Sequence, residues 1–303
     1  MMLWSAGVSI RRHVLAPAAM MAVLALGWAT PALAQPAVWA VRDADSTIYF
    51  LGTIHLLKPE TEWRTPKLEA AMAEAGELWL ELPTTDANAM QAEMMVLVSR
   101  YGLSPTDRLS KKLTADEIKT LDEAARLAGL SASHLDAFRP WFAALTLSSA
   151  AITHAGYDTA SGVDSRIEGI FRERGITPKG FETAEQQIKV FAGMSPEQEL
   201  EYLRETMEEF RDAPVELDTM VRRWSVADTA GMEEMFVTEM KTEEPDLYAS
   251  LLVNRNANWV VKIEELLHGS GTIFVAVGAA HLIGPDSVLA MLQAKGVMAE
   301  RVQ

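Results

Sequence analysis

Apolar and polar positions change rhythm twice along this chain. Val38-Trp39-Ala40-Val41 and the stretch 47–51 are rich in β-branched and aromatic residues and flank a turn-forming Arg42-Asp43-Ala44-Asp45-Ser46. That is the pattern of a β-hairpin, and it runs directly into Gly52-Thr53-Ile54-His55. A helix is predicted over 66–75 with Gly76 as its stop, then a short strand over 77–82 ended by Pro83. From 86 to about 155 the spacing becomes helical. Thr114 and Glu117 form a capping box, Gly129 suits a helix C-terminus, and Phe138-Arg139-Pro140-Trp141 opens another helix. A helix over 162–174 and a short strand over 176–181 follow, with Glu182 at the strand's end. Ser195-Pro196 starts a helical region that continues, with breaks, to about Leu267. The chain then returns to β. Residues 271–277 are continuously apolar, as in a strand buried on both faces. Gly278-Ala279-Ala280-His281 ends that run, a helix is predicted from about Pro285, and 297–302 reads as a last strand. The fold class is therefore α/β, with a mixed β-sheet core from the two chain ends and a large helical insertion over about 86–268.

The first 34 residues read as an address. Arg11, Arg12 and His13 precede an apolar run over 15–29, and Ala32-Leu33-Ala34 is a small-x-small cleavage pattern. The expected assignment is a signal peptide over 1–34, a mature domain over 35–303 starting at Gln35, and a periplasmic or secreted location. No later apolar run approaches the ~20 residues needed to span a bilayer, so no transmembrane segment is expected after signal cleavage.

Composition narrows the chemistry. The absence of cysteine rules out a disulfide framework, a thiol nucleophile and a Cys-type zinc site. Removing the two signal arginines from 27 basic residues leaves 25 against 42 acidic ones, a net charge of −17, which argues against nucleic acid or an anionic membrane surface as partner. Neither His-Glu-x-x-His, Walker A, GxSxG nor GxGxxG occurs. The methionines at helical spacing (Met90, Met94, Met95, Met232, Met235) read as core filler. His134, His154 and His268 read as surface or helix-end groups.

What remains is an internal correspondence. The stretch 48–56 matches 274–282 in layout: an apolar strand ends at a glycine, and a histidine follows three residues later, His55 in one case and His281 in the other. Ligands bind outside the carboxyl ends of strands in α/β sheets, and glycine there permits close backbone approach. Glu81 and Glu182 also fall at predicted strand ends. Two imidazoles and a carboxylate suit a divalent metal, and a second carboxylate suits a general base. Solvent exposure is the plain alternative for both glutamates.

Together with these histidines, an ordered set of short motifs resembles the TraB/GumN family, which includes the Tiki proteins and the pheromone-shutdown protein PrgY. The set comprises Tyr49-Phe50-Leu51-Gly52-Thr53-Ile54-His55, Leu80-Glu81, Arg139-Pro140-Trp141, Gly162-Val163-Asp164 and Gly180-Phe181-Glu182-Thr183 with Gln187. It continues with Asn254-Arg255-Asn256 before Trp259 and ends at Gly278-Ala279-Ala280-His281-Leu282. It departs from the family's usual pattern only in having Phe181 where leucine is more common. The resemblance implies a fold like the erythromycin-esterase and ChaN-like proteins, and a manganese- or cobalt-dependent peptidase activity by analogy with Tiki proteins. It also carries over Arg255 as a substrate or transition-state holder, with a helix-surface arginine paired to acid neighbours as the plain alternative, and Asn256 as a ligand-orienting group or one that merely bonds backbone. The expectation is thus an exported hydrolase cleaving peptide (amide) bonds in a peptide or small-molecule substrate. Its metal (manganese, cobalt or zinc) would be bound by His55, His281 and Glu81, with Glu182 as general base or a further ligand. Two rivals stand beside it: a metal-free esterase-like hydrolase with His55 as general base, and a non-catalytic protein binding a peptide, haem or small ligand in the same cleft.

Overall fold

A computed structural model of the chain describes residues 35–303 apart from residue 85; the expected signal peptide over 1–34 lies outside the described residues. Six strands form one mixed sheet: β1 (Val38–Arg42), β2 (Ser46–Thr53), β3 (Glu77–Leu80), β4 (Lys179–Gly180), β5 (Gly271–Gly278) and β6 (Ala299–Arg301), in the order β4-β3-β5-β2-β1-β6. β1 pairs antiparallel with β2 and β6, whereas β2, β3, β4 and β5 run parallel. The first and last strands of the chain meet, and the helices from Ala87–Tyr101 to Asn254–Leu267 leave and rejoin the sheet between β3 and β5. The mixed sheet from the chain ends and its helical insertion are both present.

The sheet is covered on both faces. Leu51, Leu78, Leu80, Phe274 and Ala276 point into one core, beneath the helices Pro66–Glu74 and Val163–Glu173. Ile48, Phe50, Trp79, Ile273 and Val275 point into the other, beneath Asn254–Leu267 and Val288–Ala294. Double-sided burial explains why β5 is apolar throughout rather than alternating. A third core lies among the inserted helices around Trp141, Leu147 and Leu203. Arg139 ties that region together, pairing with the buried Glu199 and donating to the carbonyls of Tyr101 and Ala192. Among the described residues, no helix is long and apolar enough to cross a membrane.

Several boundaries differ from the sequence reading. The strand expected over 176–181 reduces to two residues. Gly175, at φ +77°, turns the chain out of the preceding helix, and it reaches β3 only at Trp79↔Lys179. Two further backbone bonds, Phe181 N–H to Leu80 and Glu182 N–H to Glu81, extend the contact past both strand ends and set the two glutamates side by side. The last helix begins at Val288 behind the N-cap Ser287, later than Pro285.

The internal correspondence is also not a strict structural repeat. The parallel register pairs Leu51 with Ala276 and Thr53 with Gly278, one residue away from the motif alignment. Motif counterparts therefore face opposite sides of the sheet, with Ile48 in one core and Phe274 in the other.

Candidate functional site

Both histidines emerge at the carboxyl ends of adjacent parallel strands. His55 lies two residues beyond β2, and His281 sits in a 3₁₀ turn, Ala279–Leu282, that follows β5. The two turns pack against each other at Gly52, where a Cβ would lie 2.9 Å from the Ala279 Cα. Glycine is needed there because backbone meets backbone.

The turn carrying His55 is held by the start of the Val163–Glu173 helix. Val163 N–H donates to the Ile54 carbonyl at 3.0 Å, and Asp164 Oδ1 lies 2.9 Å from His55 Nδ1. Gly162 makes this docking possible, since a Cβ there would collide with the His55 carbonyl. Burial works against a charge on His55, but the Asp164 carboxylate outweighs it and holds the imidazole pKa above its ordinary value. Gly162→Ala is expected to destabilise the fold by about 1–3 kcal/mol through overpacking. Gly169→Ala, seven residues along the same helix with nothing near its Cβ position, is expected to stabilise by roughly 0.5–1 kcal/mol. Urea midpoints of the two variants check the pair.

His281 is buried and its tautomer follows from its neighbours. Asn256 Nδ2 donates to the Asp286 carbonyl at 2.8 Å, which turns Asn256 Oδ1 toward His281 Nδ1, 2.6 Å away. Nδ1 must then carry the proton, leaving a bare lone pair on Nε2. That lone pair accepts from Arg255 Nη1 at 3.1 Å. Burial lowers the His281 pKa to about 3, against the pull of Glu81 and with the push of Arg255, so the ring is neutral. Trp259 packs on it with centroids 4.3 Å apart.

Arg255 links the acidic residues. Its Nε and Nη2 form a bidentate pair with Glu182 (2.7 and 2.8 Å), Nη2 also reaches Glu81 Oε2 (2.6 Å), and Nη1 bonds the Leu251 carbonyl and His281. All five guanidinium donors are thereby used. Glu182 additionally accepts from Trp259 Nε1, and Gln187 Nε2 bridges Glu81 and Glu182 at 3.3 Å each. Thr183 places that glutamine, capping the Ala184–Ala192 helix so that Gln187 lies one turn in. Burial on its own would protonate Glu81. At the low pH where it would titrate, the charges of His281, Arg255 and His55, together with the Gly278 N–H (2.7 Å to Oε1), outweigh burial and hold its pKa far below the usual carboxylate range.

The outcome is a convergence on Glu81 Oε1, with His281 Nε2 at 3.6 Å and His55 Nε2 at 3.9 Å. Gly278 keeps the space between them open. A Cβ there would lie 2.9 Å from Glu81 Oε1, 3.5 Å from His55 Nε2 and 3.6 Å from His281 Cδ2. The cluster sits at one end of a cleft of about 460 Å³ whose walls are otherwise apolar, among them Met94, Leu145, Ile188, Met232 and Phe236. His55 is its most accessible member, 38% exposed against 5% for His281.

These donors suit a divalent metal in kind. Both imidazoles are tethered at Nδ1 and turn Nε2 inward, the usual way ligating histidines are oriented. In spacing they stand slightly open, since ligand atoms about a metal lie roughly 3–3.4 Å apart at bond lengths of about 2.1 Å. Among the described residues, no three His, Asp or Glu side chains are drawn tightly enough to enclose an ion. For these groups to share an ion, the 3.6 and 3.9 Å separations from Glu81 Oε1 would have to shorten by up to about 0.5 Å, and His281 Nε2 would have to leave Arg255 Nη1.

All six residues singled out in the sequence (His55, Glu81, Glu182, Arg255, Asn256 and His281) thus belong to one connected network. Asp164, Gln187, Trp259 and Gly278 belong to it as well. Of these, Gly278 was read as the strand-end glycine of its turn and the other three were quoted in motifs without a role; an acid in the first turn of a helix that follows a glycine was the available signal for Asp164.

A family model described as the TraB/PrgY/gumN family matches residues 37–301. A protein of Treponema pallidum (strain Nichols), described only as uncharacterized, is 21% identical over 275 residues, covering 86% of this chain and 81% of its own length. No solved structure matches the chain significantly.

Proposed function

The chain belongs to the TraB/PrgY/gumN family, and we propose that it is an exported, periplasmic or secreted hydrolase that cleaves peptide (amide) bonds with a divalent metal. The observation that carries this reading is the convergence of two tethered imidazoles on Glu81 Oε1 at the open end of an apolar cleft. His55, His281 and Glu81 would hold the metal, with His281 Nε2 exchanging its Arg255 Nη1 partner for the ion, and the metal would supply Lewis acidity.

The protein's own groups prepare that centre. Asn256 and Asp164 keep each ring in the tautomer that presents Nε2. Arg255 holds Glu81 ionised through Oε2 and leaves Oε1 toward the histidines. With every N–H engaged by protein groups, Arg255 acts as a positioning residue, closer to the acid-paired alternative than to a substrate or transition-state holder. Glu182, with both oxygens engaged by Arg255, Trp259 and Gln187, positions Arg255 and is not free to act as general base. The apolar walls limit water around the reacting bond.

A second reading is favoured by the 2.9 Å contact between Asp164 and His55. Here His55 takes a proton from water or substrate as general base, and Asp164 orients it and stabilises the imidazolium. Turnover of peptide and ester panels by the full chain, before and after exhaustive chelation, separates the two. Activity lost with the chelator and restored by manganese, cobalt or zinc supports the metal reading. Chelator-resistant turnover abolished by His55→Ala supports the second. Absence of turnover with a co-purifying ligand would replace both with a binding function.

A further inference from the structure

A second cavity, partly open to solvent, lies within the helical insertion among the helices Pro140–His154, Pro196–Glu209 and Ala213–Ser225 and the π-helical turn Glu234–Thr238. Its volume is about 50 Å³, room for an ion with one or two waters. Four glutamates line it: Glu205, Glu209, Glu216 and Glu244. Among the described residues, no lysine, arginine or histidine does so. The arginines of the neighbourhood serve outward-facing acids instead, Arg204 pairing with Glu117 and Arg211 with Glu123.

Three polar atoms inside lack partners. Glu205 and Glu244 stand within hydrogen-bonding reach of each other, yet neither ionised carboxylate can donate. Glu216 Oε2 and Glu244 Oε2 are buried without a hydrogen-bond partner. So is the hydroxyl of Tyr202, a residue only 4% exposed. Buried oxygens left unpaired are unfavourable, and here they face one small space. A cation with part of its water shell would satisfy them together.

We propose that this cavity is a binding site for a hard divalent cation of the calcium type, held by Glu205, Glu244 and the Tyr202 hydroxyl and, through water, by Glu209 and Glu216. An all-oxygen donor set selects such an ion over the softer metals that imidazole favours. Because no three carboxylates enclose a single point, the ion keeps part of its water shell. Met220 and Phe236 line both this cavity and the main cleft, so an ion here braces the wall between them.

Without the cation the cluster takes up protons. Burial pushes Glu205 and Glu209 up to about 8 and Glu216 to about 7, aided by mutual repulsion and by Asp212 and Glu239 nearby.

Thermal unfolding and calorimetric calcium titration of the full chain at pH 8 test the proposal. One calcium is expected to bind, raising Tm by roughly 5–10 °C at about 100 times Kd. The Glu205→Gln/Glu244→Gln variant is expected to fold, to melt higher than wild type without calcium, and to lose the response. His281→Ala is expected to keep it, which separates this cavity from the histidine cluster. No response in wild type, an equal response in the double variant, or loss of the response in His281→Ala would each overturn the proposal.

Discussion

Replacing Arg255 with methionine is expected to destabilise the protein by about 3–5 kcal/mol, the usual effect of stranding buried charges by deleting their partner. Glu81 and Glu182 are only 10% and 8% exposed at their side chains, and Arg255 is the cation that pairs with both. For a chain of this size the loss corresponds to a fall in Tm of roughly 6–20 °C. The damage comes from uncompensated negative charge, so adding Glu182→Gln to the Arg255→Met variant is expected to recover part of it. Denaturant unfolding measures both changes. A loss below about 1 kcal/mol in the single variant would show that the guanidinium is not the keystone described above.

Gly278→Ala is expected to reduce turnover by about 10²-fold or more while leaving far-UV circular dichroism unchanged. Its methyl group would press on Glu81 Oε1 and enter the gap between the two imidazoles, and displacement of a reacting group by about 1 Å costs on that order. The same methyl tilts the peptide whose N–H donates to Glu81. Steady-state kinetics on the substrate identified from the panel decides it, and near-normal kcat/KM would move the reacting centre away from Glu81. Both variants act on one carboxylate from opposite sides, the first through its charge and the second through its position.

How legible these features were depends on the range of the forces that make them. β2 and β5 could be read directly because their apolar runs are local and long, and capping residues marked helix starts at Thr114 and Ser195. β4 was overestimated because its length is set by where Gly175 releases the chain and where β3 stops, neither of which is a property of 176–181 itself. The two Gly-x-x-His turns announced the histidines. The one-residue offset of their register was invisible, because it depends on how β2 and β5 pair across more than two hundred residues. Glu182 shows the same limit. Its place at a strand end was readable, but its commitment to Arg255 and Trp259 arises only when the Asn254–Leu267 helix docks. Asp164 was hidden for a related reason, since only the Gly162 contact brings the Val163–Glu173 helix onto the His55 turn.

Cobalt(II) absorption of the purified full chain decides whether His55, Glu81 and His281 form one metal-binding centre. The expected result is a saturable visible ligand-field band at one equivalent in wild type, absent from both His55→Ala and His281→Ala. A band of equal intensity in either variant, or no band in wild type, would contradict it.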